Sequence, residues 1–264
     1  MTTPNTHWNA EVYDRIGTPM RGWAQAVIDD LGLRGDETVV DAGCGSGSVT
    51  FDLLERLPSG RIFAVDNSAE MIDKLSETIA ERGETRIMPI LASLTDFKIP
   101  EPADVVFSNA TLHWIQDDAN LFRCLFAATK PGGRFRAQCG GAHIFSKLMP
   151  AAITVRMREP FVQHLGDYRD AKNYRSPERA VELMETAGFT DARSSAFDAP
   201  VEFEVEDEAA LYLRTIILRD HVANLPEDLG DPYVRAVIRE YIDRNGSPFT
   251  ADYVRLNLWA SRPT

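Results

Sequence analysis

Up to residue 140, apolar positions fall in two rhythms: short continuous runs, and longer stretches with the i, i+3, i+4 spacing of one helix face. Met20, Trp23, Val27 and Leu31 recur at helical spacing after Thr18, a capping residue, and Pro19, which suits a first turn; Gly32 stops that helix. Thr38 to Ala42 is the first continuous run and reads as a buried strand. Val49 to Leu57 give a short helix closed by Pro58-Ser59-Gly60, and Ile62 to Asp66 a second strand. Met71, Ile72, Leu75 and Ile79 form the face of a helix that ends at Gly83, with Asn67 and Glu70 at capping-box spacing. Arg86–Leu91, Ala103–Asn109 and Arg134–Cys139 supply three further strands. A helix starting at Asp117 or Asp118 carries Leu121, Phe122 and Leu125 inward, and Lys130-Pro131-Gly132-Gly133 turns into the fifth strand. Strands alternating with helices in this way predict a doubly wound parallel sheet.

Past Gly140-Gly141 the rhythm changes. Residues 142–175 carry His143, Arg156, Arg158, His164, Tyr168, Arg169, Tyr174 and Arg175, more polar and aromatic side chains than a crossover helix needs. Ser176-Pro177 begins a helix that stops at Gly188, and Ala192 to Phe203 alternate loosely as a strand. Residues 207–245 read as two helices, one from Asp207 to about Leu225 and one capped by Asp231-Pro232 and ending at Asn245-Gly246. Tyr253 to Ala260 supply a last strand. With no repeats, low-complexity tracts or flexible linkers, the inserted helices read as a cap on a single domain.

The chemistry concentrates where the first strand meets its helix, at Asp41-Ala42-Gly43-Cys44-Gly45-Ser46-Gly47-Ser48. Alternate glycines let the backbone turn through conformations a Cβ forbids and let a ligand lie against bare main chain. Two nucleotide cofactors compete for such a turn. A dinucleotide site wants G-x-G-x-x-G, but that third position here is Ser48 and the glycine sits at Gly47 instead. Asp66, at the end of the next strand, is placed to hold a ribose diol, which NAD and S-adenosylmethionine both carry.

Charge and cysteine content narrow the class. The 264 residues carry a net charge of -12, without the basic footprint of a nucleic-acid binder. No apolar run approaches a membrane span, and the first residues have no signal-peptide pattern. Cys44, Cys124 and Cys139 lack metal-ligand spacing and are an odd number for a disulfide framework, so no metal and a reducing cytoplasm are expected.

The D-x-G-x-G-x-G form at Asp41–Gly47 resembles motif I of the class I S-adenosylmethionine-dependent methyltransferases. With Val65-Asp66-Asn67-Ser68, Ser108-Asn109-Ala110-Thr111-Leu112-His113-Trp114, Lys130-Pro131-Gly132-Gly133 and Arg255-Leu256-Asn257, the chain is similar to the trans-aconitate methyltransferase group. It also resembles the malonyl-carrier-protein O-methyltransferases and the juvenile hormone acid methyltransferases. All three groups methylate a carboxylate oxygen. The resemblance implies an α/β fold, a Rossmann-like doubly wound seven-stranded mostly parallel sheet with an inserted helical cap. Residues 1–264 then form one domain: lid and helix 1–35, cofactor-binding core 36–140, cap insertions 141–176 and 206–248, and remaining core 177–205 and 249–264.

S-adenosylmethionine is the implied cofactor, held by Asp41, Gly43, Cys44, Gly45, Gly47, Asp66, Asn67, Met71, Ser93, Leu94, Asn109 and Ala110. Ser93 stands where many relatives place an acid for the adenine amino group, and Met71 reads from its spacing as core, while in the resembling family a side chain near it can touch the adenine. The Asn-Pro-Pro-Tyr signature of amino-group and base methyltransferases is absent. His113 and Trp114 are the catalytic candidates, and here two readings stay open. Trp114 is a pocket wall and His113 bonds within its loop, or His113 holds a carboxylate or acts as base toward a hydroxyl or amine. Trp8, Tyr13, His143, Arg156, Tyr168 and Arg169 are the substrate candidates, since an arginine fork suits a carboxylate. The expected partner is a small-molecule acceptor, with neither nucleic acid nor membrane; monomer and homodimer are both open.

Overall fold

The computed structural model describes residues 18–264, with side chains from Gly22 onward. Its organising element is β1 (Thr38–Ala42), where Val39, Val40 and Ala42 have no exposed surface. A strand buried on both faces satisfies its backbone only through neighbours on both edges. β2 (Arg61–Asp66) pairs parallel on one side, Val40 opposite Phe63, and β3 (Ile87–Leu91) extends the sheet beyond it. β4 (Ala103–Asn109) pairs parallel on the other side, Val40 opposite Val106, and β5 (Thr129–Gly140) follows in parallel. β9 (Val254–Ser261) then runs antiparallel to β5, and β6 (Thr190–Asp198) closes the order β3-β2-β1-β4-β5-β9-β6.

Alternate strand residues feed opposite layers. Val39, Ile62, Ala64, Val105 and Phe107 pack with Val27, Ile28, Phe51, Leu53, Ile72 and Leu75 from α1 (Thr18–Asp30), α2 (Ser48–Leu54) and α3 (Ala69–Arg82). Val40, Phe63, Val106 and Phe135 pack with Leu121, Phe122, Leu125 and Leu183 from α4 (Asp118–Ala128) and α7 (Pro177–Thr186). Asp117 caps α4, Ser176 caps α7 with Pro177 in the first turn, and Gly83 ends α3 at φ 61°.

Several boundaries differ from the sequence reading. α2 ends at Leu54 rather than Leu57, because backbone bonds from Arg56 and Leu57 to Leu53 and Leu54 tighten into turns that still bury Leu57. The cap of α3 is Ser68, not Asn67: Asp66 Oδ1 takes the Ser68 amide and Ser68 Oγ accepts from Met71 N. Lys130–Gly133 is a bulge inside β5, since Ala103 pairs with Thr129 and Val105 with Arg134. The strand expected over 192–203 is two, β6 and β7 (Val201–Phe203), separated at Pro200, which has no N–H for a ladder.

By its contacts the chain divides into two compact units; the described part of the second comprises His143–Ala171 and Asp198–Val254. It therefore takes in β7 and 249–254, which the sequence reading had left in the core. It holds α5 (Leu148–Arg156), α6 (Val162–Leu165), α8 (Glu206–Tyr212), α9 (Arg219–Ala223) and α10 (Glu227–Asn245). β7 pairs antiparallel with β8 (Phe249–Ala251). Leu148, Ala151 and Val155 of α5 and Val234, Val237 and Ile238 of α10 have almost no exposed surface. The helix expected over 207–225 is interrupted by a π-type stretch at Leu213–Ile217. α10 starts before the expected Asp231-Pro232 cap: Pro232 lies inside it, and the Asp231 carboxylate pairs with Arg235 instead.

Candidate functional site

The turn after β1 carries three glycines at positive φ, 87° at Gly43, 54° at Gly45 and 93° at Gly47, and they serve two different purposes. A Cβ on Gly43 would lie 2.1 Å from Thr111 Cγ2, and one on Gly47 would lie 2.4 Å from Leu75 Cδ1. These two glycines are packed against protein. Gly45 has no atom within 4 Å of its missing Cβ, so it alone presents bare backbone to open space. The Gly43 and Cys44 amides both donate to Val65 O, which ties the turn to β2.

Two carboxylates support the turn from beneath. Asp41 is 2% exposed and accepts from Thr50 Oγ1 at 2.7 Å. Burial lifts its pKa to about 7, with the charge of Asp66 adding to the rise. Asp66 ends β2, and its Oδ2 accepts from Gly45 N and its Oδ1 from Ser68 N, both at 2.9 Å. Burial raises the Asp66 pKa also, opposed by the backbone amides of Ser68, Gly45 and Asn67. The Cys44 thiol is buried and pushed well above its ordinary pKa, so it is not a nucleophile.

The end of β4 carries the second group of residues. Asn109 Oδ1 is buried with no hydrogen-bond partner among the described residues. Ala110 has φ 55° and donates to Gln138 O, and Thr111 Oγ1 donates to the carbonyls of Gly43 and Asn109. His113 follows in a short 3-10 turn, Leu112–Trp114. Its Nδ1 accepts from Gly140 N at 3.3 Å, which leaves the ring proton on Nε2. Burial holds the imidazole well below its usual pKa, with the charges of Arg255, Lys172 and Arg175 adding to the effect. The ring stacks on Tyr174 at 5.5 Å, and Lys172 Nζ sits 4.8 Å above the exposed Trp114 ring. Arg175, 4% exposed, fastens this loop by donating to Leu112 O and Ile115 O and by pairing with Asp118.

Residues 39–133 match the family described as "Methyltransferase domain". Trans-aconitate 2-methyltransferase of Mycobacterium tuberculosis is 31% identical over 184 residues, 69% of this chain and 67% of that protein. The chain belongs to the class I S-adenosylmethionine-dependent methyltransferases. Trans-aconitate 2-methyltransferase of an Azoarcus species is also 31% identical, over 126 residues, so the match spans 48% of either chain. The crystal structure of the YcgJ protein of Bacillus subtilis shares the fold at a TM-score of 0.65 and 15% identity, covering 92% of this chain and 99% of that one.

The methyltransferase uses S-adenosylmethionine, and its turn fits that group: open backbone at Gly45, an anchored carboxylate at Asp66 and an orphaned acceptor at Asn109. Other expected contacts are already engaged. Ser93 Oγ bonds Thr95, and Met71 and Leu94 are buried. Asn67 is exposed beside Asp66. In the second unit His143 is exposed at φ 65°, Arg169 is exposed, and Arg156 Nη1 donates to Tyr168 O at 2.8 Å. Trp8 and Tyr13 lie outside the described residues. No His/Cys/Asp/Glu cluster among the described residues is arranged to hold a metal. The sequence reading missed Thr50 and Thr111, whose bonds to Asp41 and Gly43 join distant segments and leave no local pattern. It also missed the Tyr174 stack, though Tyr174 lies in the polar stretch it had marked.

Proposed function

We propose that this enzyme transfers a methyl group to a carboxylate oxygen of a small molecule. The observation that carries the reading is the state of His113. It is the only histidine in the described part of its unit, it is buried, its Nδ1 is engaged by Gly140, and its basicity is suppressed. Such an imidazole donates through Nε2 but does not take a proton near neutral pH. An acceptor that needs no base is one already ionised, and a carboxylate with a pKa of about 4 is. The relatives named for trans-aconitate, a carboxylic acid, support the same acceptor class.

S-adenosylmethionine, when bound, supplies a methyl on a sulfonium that carbon–sulfur cleavage leaves as neutral S-adenosylhomocysteine. In our reading Asp66 accepts from the ribose hydroxyls while Gly45 lets the group approach the backbone. Asn109 Oδ1 accepts from the methionyl ammonium. His113 Nε2–H and the Trp114 ring orient the acceptor and exclude water. The carboxylate oxygen forms the new bond, and no proton moves. A small-molecule acceptor, a reducing cytoplasm, and no nucleic-acid or membrane partner complete the reading. The net charge of -12 and three buried, unpaired cysteines support it.

The test is transfer of a radiolabelled methyl group to a panel of small carboxylic acids, alcohols and amines. A methyl ester releases volatile methanol in mild alkali, and kcat at saturation stays flat above about pH 6. A base-stable product, or a kcat that falls with protonation of a group near pH 7, refutes the carboxylate reading.

A further inference from the structure

Among the described residues of the second unit, Arg156 is a guanidinium with a buried nitrogen left unbonded and no carboxylate beside it. Arg158 pairs with Glu240, and Arg169 is exposed. Arg156, the last residue of α5, is half-buried and has no carboxylate within ion-pair range among the described residues. Its single hydrogen bond runs from Nη1 to Tyr168 O, and its Nε is buried without an acceptor. Nη2 has no protein partner among the described residues and is not sealed from solvent. The surroundings are aromatic. Tyr168 and His221 lie 4.4 Å apart between ring centroids, His221 stacks on Tyr233 at 5.8 Å, and Tyr233 is fully buried with its hydroxyl on Ala152 O.

We infer that Arg156 is the carboxylate-binding residue of this helical unit, its open Nη edge taking one carboxylate with the Tyr168 ring as a wall. An arginine fork binds both oxygens of a carboxylate at once, and a low-polarity aromatic surround strengthens that contact. The Arg156 charge acts on both Tyr168 and Tyr233, with Asp170 and the Arg219–Asp220 pair also near Tyr168. The inference deepens the carboxylate reading above and rests on it for the ligand class.

Isothermal calorimetry of the full chain with S-adenosylhomocysteine present tests it, using succinate, citrate and trans-aconitate as probes beside their neutral carboxamides. The wild type should bind at least one acid in clear preference to its amide. Arg156→Gln should weaken that acid at least tenfold and abolish the preference, whereas Arg156→Lys, which keeps the charge and loses the fork, should weaken it several-fold and keep the preference. Arg158→Gln should match the wild type. A merely structural arginine would move acid and amide together, so the ratio separates the two roles even if Arg156→Gln melts at a lower temperature. An acceptor KM that rises with kcat kept places the carboxylate on the methyl acceptor; an unchanged KM assigns it to a separate ligand of the helical unit. A wild type that binds none of the acids, or an Arg156→Gln protein that retains the preference, overturns the inference. A base-stable methyl product beside intact Arg156-dependent acid binding would sink the methyl-ester reading alone.

Discussion

Replacing the turn glycines one at a time by alanine separates what the fold requires of the Asp41–Gly47 segment from what the cofactor requires. At Gly43 the new Cβ would stand 2.1 Å from Thr111 Cγ2 and 2.3 Å from Thr111 Oγ1, at φ +87°. The left-handed backbone costs an alanine about 1–2 kcal/mol, and overpacking adds about 1–3 kcal/mol. The total for G43A is about 2–5 kcal/mol. At Gly45 nothing lies within 4 Å, so G45A carries only the backbone cost of about 1–2 kcal/mol. Each kcal/mol lowers Tm by about 2–4 °C in a domain of this size, which places G43A about 4–20 °C below the wild type and G45A about 2–8 °C below it. Affinity should run in the opposite order. The G45A methyl occupies the open side of the turn and should weaken S-adenosylhomocysteine at least about tenfold, or about 1.4 kcal/mol. Folded G43A should stay within a few-fold of the wild type. Melting curves and calorimetry read both quantities, and a G43A/T111G double variant should recover part of the G43A loss. A G45A protein with wild-type affinity, or a G43A protein as stable as G45A, would refute this division of roles.

Asp66→Ala removes the acceptor of Gly45 N and, in the proposed reading, of the ribose hydroxyls, and should weaken S-adenosylhomocysteine by about 1–3 kcal/mol by calorimetry; unchanged affinity would misplace the ribose. Asp41 holds its proton to about pH 7 in the fold against 3.8 when unfolded, so its contribution is full below about pH 4 and is lost as pH rises through 7. Asp41→Asn should therefore flatten the pH dependence of urea stability between those limits, where the wild type loses at most about 1.4 kcal/mol per pH unit. A slope unchanged by the substitution would show that Asp41 is not its source. Arg175→Ala removes the buried donor of Leu112 O and the closest cation of Asp118, which keeps Asn173 and Arg179, and should cost about 3 kcal/mol of unfolding free energy; a loss under 1 kcal/mol would contradict the anchoring role.

What the sequence made legible follows from where physical demands are local. Strands β1, β2 and β4 carry apolar runs because both their faces are covered, and the Asp41–Gly47 turn shows its glycines because no other residue enters positive φ cheaply. The partners that make Gly43 and Gly47 obligatory, Thr111 and Leu75, come from other segments and have no spacing to find. The same holds for Arg175 and Asp118, whose pairing joins two loops. Pro200 was a visible signal that one strand could not run through 192–203, yet the alternation on both sides masked it. In the helical unit Pro232 misled in the other direction. Proline favours a first turn, but α10 absorbs it further along because Pro226 and the Asp231–Arg235 pair already support the helix start.

The two acids of the turn show why Asp66, rather than Asp41, is suited to face a ribose. Asp41 is the penultimate residue of β1 and Asp66 the last of the adjacent parallel β2, and burial raises both, so they cannot both keep a charge at low cost. Asp41 receives one hydroxyl, from Thr50, and is sealed from water; it yields, holding its proton to about pH 7. Asp66 receives backbone amides from Gly45, Ser68 and Asn67, donors that cannot rotate away or be titrated, and these favour its ionised form. Two of those amides bracket the ends of the cradle, the turn on one side and the start of α3 on the other. The charge proposed to receive the ribose is thus the same charge that ties Gly45 in place, and the proton on Asp41 is what lets that charge stand beside it.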